Sequence, residues 1–408
     1  MTSLRPTWVD VDLDAISHNV RALSFEGTEV MAVVKADAYG HGSAAVSRAA
    51  LDAGATWLGV ALVEEGLSLR AAGIEAPVLV LSECPPGAEV AAVSAGLTLT
   101  LCSEEGLKRL AAVAPTMRAP IDVHVKADTG MHRIGVWPPR AVVPFVGRVT
   151  AAGLGLGGLW THLACADSDE VTTRRQLDMF RQTVDQVRRA GDAPRLVHAA
   201  NTAGAIGFPD ARFDLVRIGI GIYGVEPAPG IGAELDLRPA LTWRSAVSFV
   251  KRLTAGTRIS YGHHGELARD AWVATVPVGY ADGYPRMLST RADVVIGGRR
   301  CRVAGSVTMD QVIVDCGDVE PVPGDEVVLL GAQGPEIVTA WELAAHAGSI
   351  AYEVMARIGA RVPRRHHSGQ GSGPGADQGA DQGADQGADQ GADQGADQGA
   401  DQGAEKPS

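Results

Sequence analysis

Val30-Met-Ala-Val-Val-Lys-Ala-Asp-Ala-Tyr-Gly-His-Gly42 is an apolar, β-branched run that delivers one lysine, Lys35, and then breaks into a Gly-rich turn. Val30, Val33 and Val34 favour a buried strand, while Gly40 and Gly42 supply a turn before a following helix. A lysine ending such a strand faces a pocket mouth, where desolvation lowers its pKa and frees the amine to form a Schiff base. Taken alone, a lysine that merely snorkels out of a barrel end is the more frequent case. The surrounding chain has to decide between the two.

Outward from this run, short apolar segments alternate with helical ones. Eight segments read as strands: 30–37, 57–62, 78–82, 97–101, 121–128, 157–163, 196–201 and 215–223. The clearest helix spans 170–190, with Leu177, Phe180, Val184 and Val187 on one face and Gly191 as its stop. This alternation predicts an α/β fold, a (β/α)8 TIM-like barrel over residues 1–238, with the active site at the C-terminal ends of its strands. A doubly wound open sheet is the alternative. From about Pro239 the texture turns to β: 241–250, 257–261, 271–278, 293–296, 312–315 and 326–330 are strand-like, with turns at Gly297-Gly298 and Pro323-Gly324. A mainly β C-terminal domain is therefore expected over 239–365, closed by one helix that starts at the capping box Thr339-Ala-Trp-Glu342 and runs to about Ile358.

Residues 366–408 form a tail in which Gly-Ala-Asp-Gln recurs seven times from Gly375 to Gln402. Its period lacks the apolar residues needed to offset ordering entropy, so it reads as disordered. Removing residues 371–408 is expected to leave turnover and melting temperature almost unchanged. A large loss of activity on truncation would show the tail to be part of the fold.

The 408-residue chain has 46% hydrophobic residues but no apolar run of the roughly 18 residues that a membrane span needs. No secretory signal is read in Met-Thr-Ser-Leu-Arg-Pro-Thr-Trp, which points to the cytoplasm. The five cysteines are spread out and form no C-x-x-C pair, so neither a disulfide framework nor a metal site is indicated. Of the net charge of −12, −7 lies beyond Gly371 and −5 in the body, which offers no basic footprint for nucleic acid.

The polar residues of the first domain gather at strand ends. Strand one ends in Lys35 with Tyr39 beyond; strand five ends Lys126-Ala-Asp-Thr-Gly-Met-His-Arg133; strand six gives Thr161-His162, strand seven His198-Ala-Ala-Asn201-Thr202, and strand eight Arg217-Ile-Gly219-Ile220. Singly, His162 reads as a rim residue and Arg217 as an ion-pair partner; jointly they make a polar mouth. The loops after strands seven and eight are where such barrels hold a phosphate, and Thr202 and the Gly219-Ile220 backbone suit that purpose. A reactive lysine and a phosphate cradle in one mouth point to pyridoxal 5'-phosphate. No Gly-rich dinucleotide or triphosphate motif follows a strand.

On these motifs the chain resembles the alanine racemase family, a pyridoxal-phosphate-dependent family of the type III fold, from about residue 5 to 362. The resemblance is carried by Val-Lys-Ala-Asp-Ala-Tyr-Gly-His-Gly around Lys35, Lys-Ala-Asp-Thr-Gly-Met-His-Arg-Ile-Gly at 126–135 and Val-Arg-Ile-Gly-Ile-Gly-Ile-Tyr-Gly at 216–224. Ser-Tyr-Gly at 260–262, Gly-Tyr-Ala-Asp-Gly-Tyr at 279–284 and Met-Asp-Gln at 309–311 follow in order. The resemblance implies interconversion of L- and D-alanine, supplying D-alanine for peptidoglycan, by an isomerase with two acid/base residues, Lys35 and Tyr261. It implies that Arg217 bonds the pyridine nitrogen, that Arg133 and the Met309 backbone hold the substrate carboxylate, and that Tyr39, Thr202, Gly219, Ile220 and Tyr352 surround the phosphate. His162 and Asn201 complete the expected cofactor contacts, Lys126 becomes a candidate for carboxylation, and a homodimer with shared active sites is expected.

Racemisation removes a proton from one face of Cα and returns it to the other, so two acid/base groups must flank the substrate. A tyrosine, ordinarily titrating at about 10, needs a cation or hydrogen bond to act as the base; the resemblance assigns that support to His162. A racemase of another small amino acid such as serine, and a decarboxylase of the same fold, are the alternatives. Arg133 speaks against the second, because a cation clamping the carboxylate stabilises the state that decarboxylation must destroy. A non-catalytic cofactor-binding barrel would have no use for Tyr261. The chain departs from the family at Ser306, where many relatives carry Arg, at Thr308, and at His132, where Gly is common; these bear on the fine structure of the pocket.

Overall fold

In the computed structural model residues 4–117 and 120–369 are described, and the Gly-Ala-Asp-Gln repeats lie outside them. Runs of Val, Ile and Leu that are buried on both faces form parallel strands. They are Glu29–Val33, Trp57–Val60, Val78–Glu83, Thr98–Leu101, Asp122–Lys126, Gly155–Trp160, Leu196–His198 and Leu215–Ile218, paired in chain order as an eight-stranded sheet. The last strand returns to pair with the first, Met31 opposite Arg217. At the remaining seam no ladder forms; the Asp214 N–H gives a 3.0 Å bond to the Val197 carbonyl and the Arg217 N–H one of 3.0 Å to that of Ala200. The sheet is therefore closed, and the doubly wound alternative falls.

Most strands stop short of the expected ends. The run 30–37 leaves the ladder after Val33, 196–201 after His198, and 215–223 after Ile218. Among the residues lost to the strands are Lys35 and Asn201: once the ladder ends, their backbones are free to turn and aim side chains into the mouth.

The second sheet is mostly antiparallel, in the order Phe249–Leu253, Ala271–Val276, Val312–Gly317, Arg299–Val303, Asp293–Ile296, Glu326–Gln333, Leu241–Ala246, Thr7–Asp12, Arg364–His367. Its core is packed by Trp243, Tyr284, Val294, Val314, Val328 and Leu343. The boundary expected at 1–238 needs correction here. Thr7–Asp12 belongs to this second sheet, antiparallel to Leu241–Ala246 and parallel to Arg364–His367. The alternation Thr-Trp-Val-Asp-Val-Asp, with Thr7, Val9 and Val11 buried, is a half-buried strand signal that a barrel reading passes over. His366 and His367, assigned to the tail, likewise complete a strand.

The closing helix is two helices, Ala340–Ala347 and Ala351–Ala356, broken where Gly348 turns left-handed at φ 65°. Thr339 caps the first by accepting from the Glu342 N–H at 3.0 Å. Glu342 does not reach back to complete the box, because its carboxylate pairs with Arg300, at 2.9 Å from Nη2. In the Gly-Tyr-Ala-Asp-Gly-Tyr motif, buried Asp282 accepts from the Gly279 N–H at 3.0 Å and takes a two-pronged bond from Arg5 at 2.7 and 2.8 Å. That motif is an anchor between the N-terminal segment and the β-domain. Among the described residues no helix is long and apolar enough to cross a membrane, and no cluster of His, Cys, Asp or Glu could hold a metal ion.

Candidate active site

After Val33 the chain makes a left-handed turn, with Ala36, Asp37, Ala38 and Tyr39 at φ between 50° and 54°. Such backbone costs L-residues roughly 1–2 kcal/mol each, so the surroundings must hold it. Glu65 accepts from the Ala36 N–H at 2.7 Å and from that of Ala61 at 2.7 Å. Asp37 caps the next helix through the Ser43 N–H at 2.7 Å, and the Ala38 N–H returns to the Val34 carbonyl at 2.9 Å. The turn brings Lys35 and Tyr39 to the wall of one cavity of about 400 Å³.

That cavity gathers every expected barrel residue: Lys35, Tyr39, Lys126, Arg133, His162, Asn201, Thr202, Arg217, Gly219 and Ile220, with Tyr352 entering from the β-domain. Burial, and the neighbouring Arg133, hold the Lys35 amine below its ordinary pKa against an opposing pull from Glu65. Arg217 lies at the buried floor, giving its Nη2 hydrogens to the carbonyls of Thr161 and Ala199, both at 2.8 Å, with a weaker 3.3 Å contact to His162 Nδ1. Burial pushes the guanidinium down to about 9, so at neutral pH it remains a cation. Burial and the positive groups around it, Arg217 first, keep His162 neutral, well below the ordinary histidine range.

The opposite wall is a set of donors. Burial raises Tyr39 and pushes Tyr352 up to about 12, so both hydroxyls stay protonated. Thr202 opens the helix Thr202–Gly207, its hydroxyl accepting from the Gly219 N–H at 3.0 Å; Asn201 caps that helix through the Gly204 N–H at 2.9 Å. Gly219 is a glycine because space requires it: a Cβ there would lie 2.6 Å from the Tyr39 hydroxyl. Gly219→Ala should displace Tyr39 and weaken uptake of a phosphate-bearing ligand, an overpacking cost of about 1–3 kcal/mol. Titrating the variant with pyridoxal phosphate by absorbance tests this; parental affinity would refute the close approach.

Lys126 is buried, 4.3 Å over the Trp160 ring, and burial together with Arg217 and Arg133 pushes its amine down to about 7. With Lys35, Arg133 and Arg217 it lines the cavity with basic groups, of which the two arginines suit a ligand carrying a phosphate and a carboxylate.

Two expected residues are elsewhere. Tyr261 and Met309 line a separate open groove with Ser306 and Thr308, and Tyr261 is 77% exposed. Within one chain Lys35 and Tyr261, expected as the acid/base pair, do not line the same cavity. Ser306 organises that groove: its hydroxyl donates to the Tyr261 carbonyl at 2.9 Å, and its own carbonyl accepts from Ser260 at 2.8 Å. His132 has φ 52°, the left-handed backbone for which glycine is favoured, and its ring packs edge-on against Trp137 at 4.8 Å.

Sequence reasoning missed Glu65, Trp160 and Tyr223. Glu65 reads as an ordinary first-turn acid of Val63–Ala71; Tyr223, whose hydroxyl donates to the Val33 carbonyl at 2.8 Å, reads in the sequence as the last residue of a strand. Trp160 ends its strand beside Thr161-His162, and that position was the available signal.

The geometry has counterparts. Residues 11–227 match the family model "Alanine racemase, N-terminal domain" and residues 240–366 match "Alanine racemase, C-terminal domain". The alanine racemase of Symbiobacterium thermophilum is 48% identical over 370 residues, covering 89% of this chain and 98% of the relative. That of Frankia casuarinae is 43% identical over 366 residues, 87% and 95%. Among solved structures, alanine racemase from D-cycloserine-producing Streptomyces lavendulae superposes with a TM-score of 0.86 at 39% identity, covering 90% of this chain and 98% of that one. The Bacillus anthracis alanine racemase with bound L-Ala-P gives 0.85 at 36% identity, 90% and 96%. With both of its domains and nearly its whole described length matched, the chain belongs to the alanine racemase family.

Proposed function

We propose that this chain interconverts L- and D-alanine with pyridoxal 5'-phosphate held in the barrel cavity. The observation that carries the reading is a lysine of lowered pKa and a buried arginine lining one cavity with Arg133 and the Tyr39–Gly219 cradle. These residues fit the cofactor: Lys35 would hold its aldehyde carbon, Arg217 its ring nitrogen, and Tyr39, Tyr352, Thr202 and the Gly219-Ile220 backbone its phosphate. When bound, the cofactor supplies an electron sink that acidifies the substrate Cα–H.

The chain supplies the rest. Arg133 and the Met309 backbone orient the carboxylate, and Lys35 takes or returns the proton on one face of Cα. Tyr261 does so on the other, and its separation from the cavity within one chain supports its coming from a partner subunit, in a two-fold dimer whose sites are each built from both copies. In that setting His162, which lines the cavity beside Arg217, would support Tyr261 of the partner subunit. Arg217, which only donates, keeps the ring nitrogen unprotonated and so limits transamination. Lys126 is carboxylated in this reading: an amine pushed to about 7 is partly neutral and nucleophilic, and a carbamate would set a negative charge between Arg133 and Arg217. Carbon-13 NMR after loading with labelled bicarbonate tests that step, with no carbamate signal as the refuting result.

Incubating the purified protein and cofactor with L-alanine in deuterated water tests the whole. Deuterium at Cα and optical rotation falling to zero are expected. Release of carbon dioxide would favour the decarboxylase, and faster exchange of serine than of alanine would move the assignment to a serine racemase.

A further inference from the structure

Arg217 is a buried cation whose hydrogen-bond partners are carbonyls and imidazoles, with no carboxylate among them. What fixes it therefore depends on which imidazole nitrogens are bare. An arginine can only donate. Its Nη1 lies 2.9 Å from His198 Nδ1, so that nitrogen must carry the lone pair and the His198 proton must sit on Nε2. His198 Nε2 is in turn 2.9 Å from His124 Nδ1, which must accept that proton's bond and leaves the His124 hydrogen on its own Nε2. One arginine thus dictates the tautomer of two successive histidines.

The surroundings are built to keep the pair neutral and still. Burial, Arg217 and His124 hold His198 well below the histidine range; burial, Arg195 and Arg217 push His124 down to about 3. Trp160 stacks on His198 with ring centroids 5.5 Å apart and planes within 5°, and Trp57 packs on His124 at 5.3 Å. The next barrel strand makes room: a Cβ on Gly158 would lie 2.6 Å from His124 Nδ1, and one on Gly157 3.3 Å from Cδ2. His124 reaches a crevice of about 330 Å³ walled by Trp57, Asp122 and Arg195, whose two charges pair with each other. That crevice holds neither Lys35 nor any other residue of the cavity lining, so the chain of bonds joins two separate spaces.

We infer that His124 is a positioning residue that acts through His198 on Arg217: the shared Nε2–H tautomer presents the acceptor that fixes the guanidinium at the cavity floor. The consequence for catalysis rests on the reading of the cavity as a pyridoxal phosphate site. A loosened Arg217 would give its ring-nitrogen bond less firmly and the electron sink would change.

The tautomers are read directly by long-range 1H–15N correlation on protein labelled with 15N-histidine, without cofactor. His124 and His198 should both be neutral Nε2–H forms from about pH 6 to about pH 9; an Nδ1–H or cationic form of either overturns the relay. His124→Phe keeps the ring volume and removes the acceptor, whereas His124→Asn keeps an oxygen near the place of Nδ1. With cofactor bound, the Phe variant should show a shifted absorption spectrum and a kcat lower by roughly tenfold with little change in KM, and the Asn variant should recover most of both. A Phe variant with parental spectrum and kcat, or an Asn variant no better than Phe, would overturn the inference. Should the Phe variant fail to fold, the tautomers of the parent still decide. If the protein takes up no pyridoxal phosphate, the function proposed above fails while the tautomer result stands on its own.

Discussion

Lys35→Ala protein mixed with Tyr261→Ala protein, each inactive alone, should recover about a quarter of the wild-type sites once subunits exchange. In the proposed two-fold dimer half the assemblies would be mixed, and in each mixed dimer one site would carry both lesions and the other neither. The expectation grows from the separation of the Lys35 cavity from the groove of Tyr261 and Met309. A tyrosine 77% exposed to water has no dry environment in which to exchange a proton with Cα, and a second copy would provide one. Were both residues drawn from one chain, every site in every dimer would hold one lesion. Turnover staying at the sum of the two separate mutants, with exchange confirmed by mass, would reject the shared site.

Arg217→Glu should slow racemisation by about a hundredfold or more and raise transamination. In the proposed pyridoxal phosphate site a carboxyl group at that position would accept where arginine donates, which would leave the ring nitrogen protonated and the electron sink stronger. The substitution also strips hydrogen bonds from the Thr161 and Ala199 carbonyls and from His198, each buried acceptor left bare costing about 1–3 kcal/mol. A lower melting temperature should therefore accompany the kinetic change. Rate, product ratio and cofactor spectrum are the measurements; a variant like its parent in all three would show that Arg217 does not contact the cofactor.

Much of the site was legible because barrel chemistry is written locally. Lys35, His162 and Thr202 each follow an apolar strand and Arg217 lies within one near its end, and the rule that barrel sites lie at strand ends brings them together without coordinates. Glu65 was not legible: its role depends on reaching the N–H groups of Ala36 and Ala61, one of them 29 positions away. His124 was hidden for a similar reason, since a histidine inside an alternating strand reads as one more core residue until His198 is seen at hydrogen-bond distance. Thr7–Asp12 showed its alternation but not its partner, because nothing local says which of two sheets a strand joins.

The sequence by itself determined the order of the domains, the barrel, the second β-rich domain and the set of strand-end residues, Lys35 among them, that line the cavity. These follow from hydrophobic periodicity, turn chemistry and motif spacing, all properties of neighbours along the chain. Only the tertiary structure decided that Ala36–Tyr39 turn left-handed, that Arg217 is held by imidazoles and carbonyls rather than by an acid, and that Tyr261 stands apart from Lys35 in the single chain. Backbone strain, the pKa of a buried group and the tautomer of a histidine depend on distances between residues remote in sequence, and those distances exist only once the chain has closed on itself.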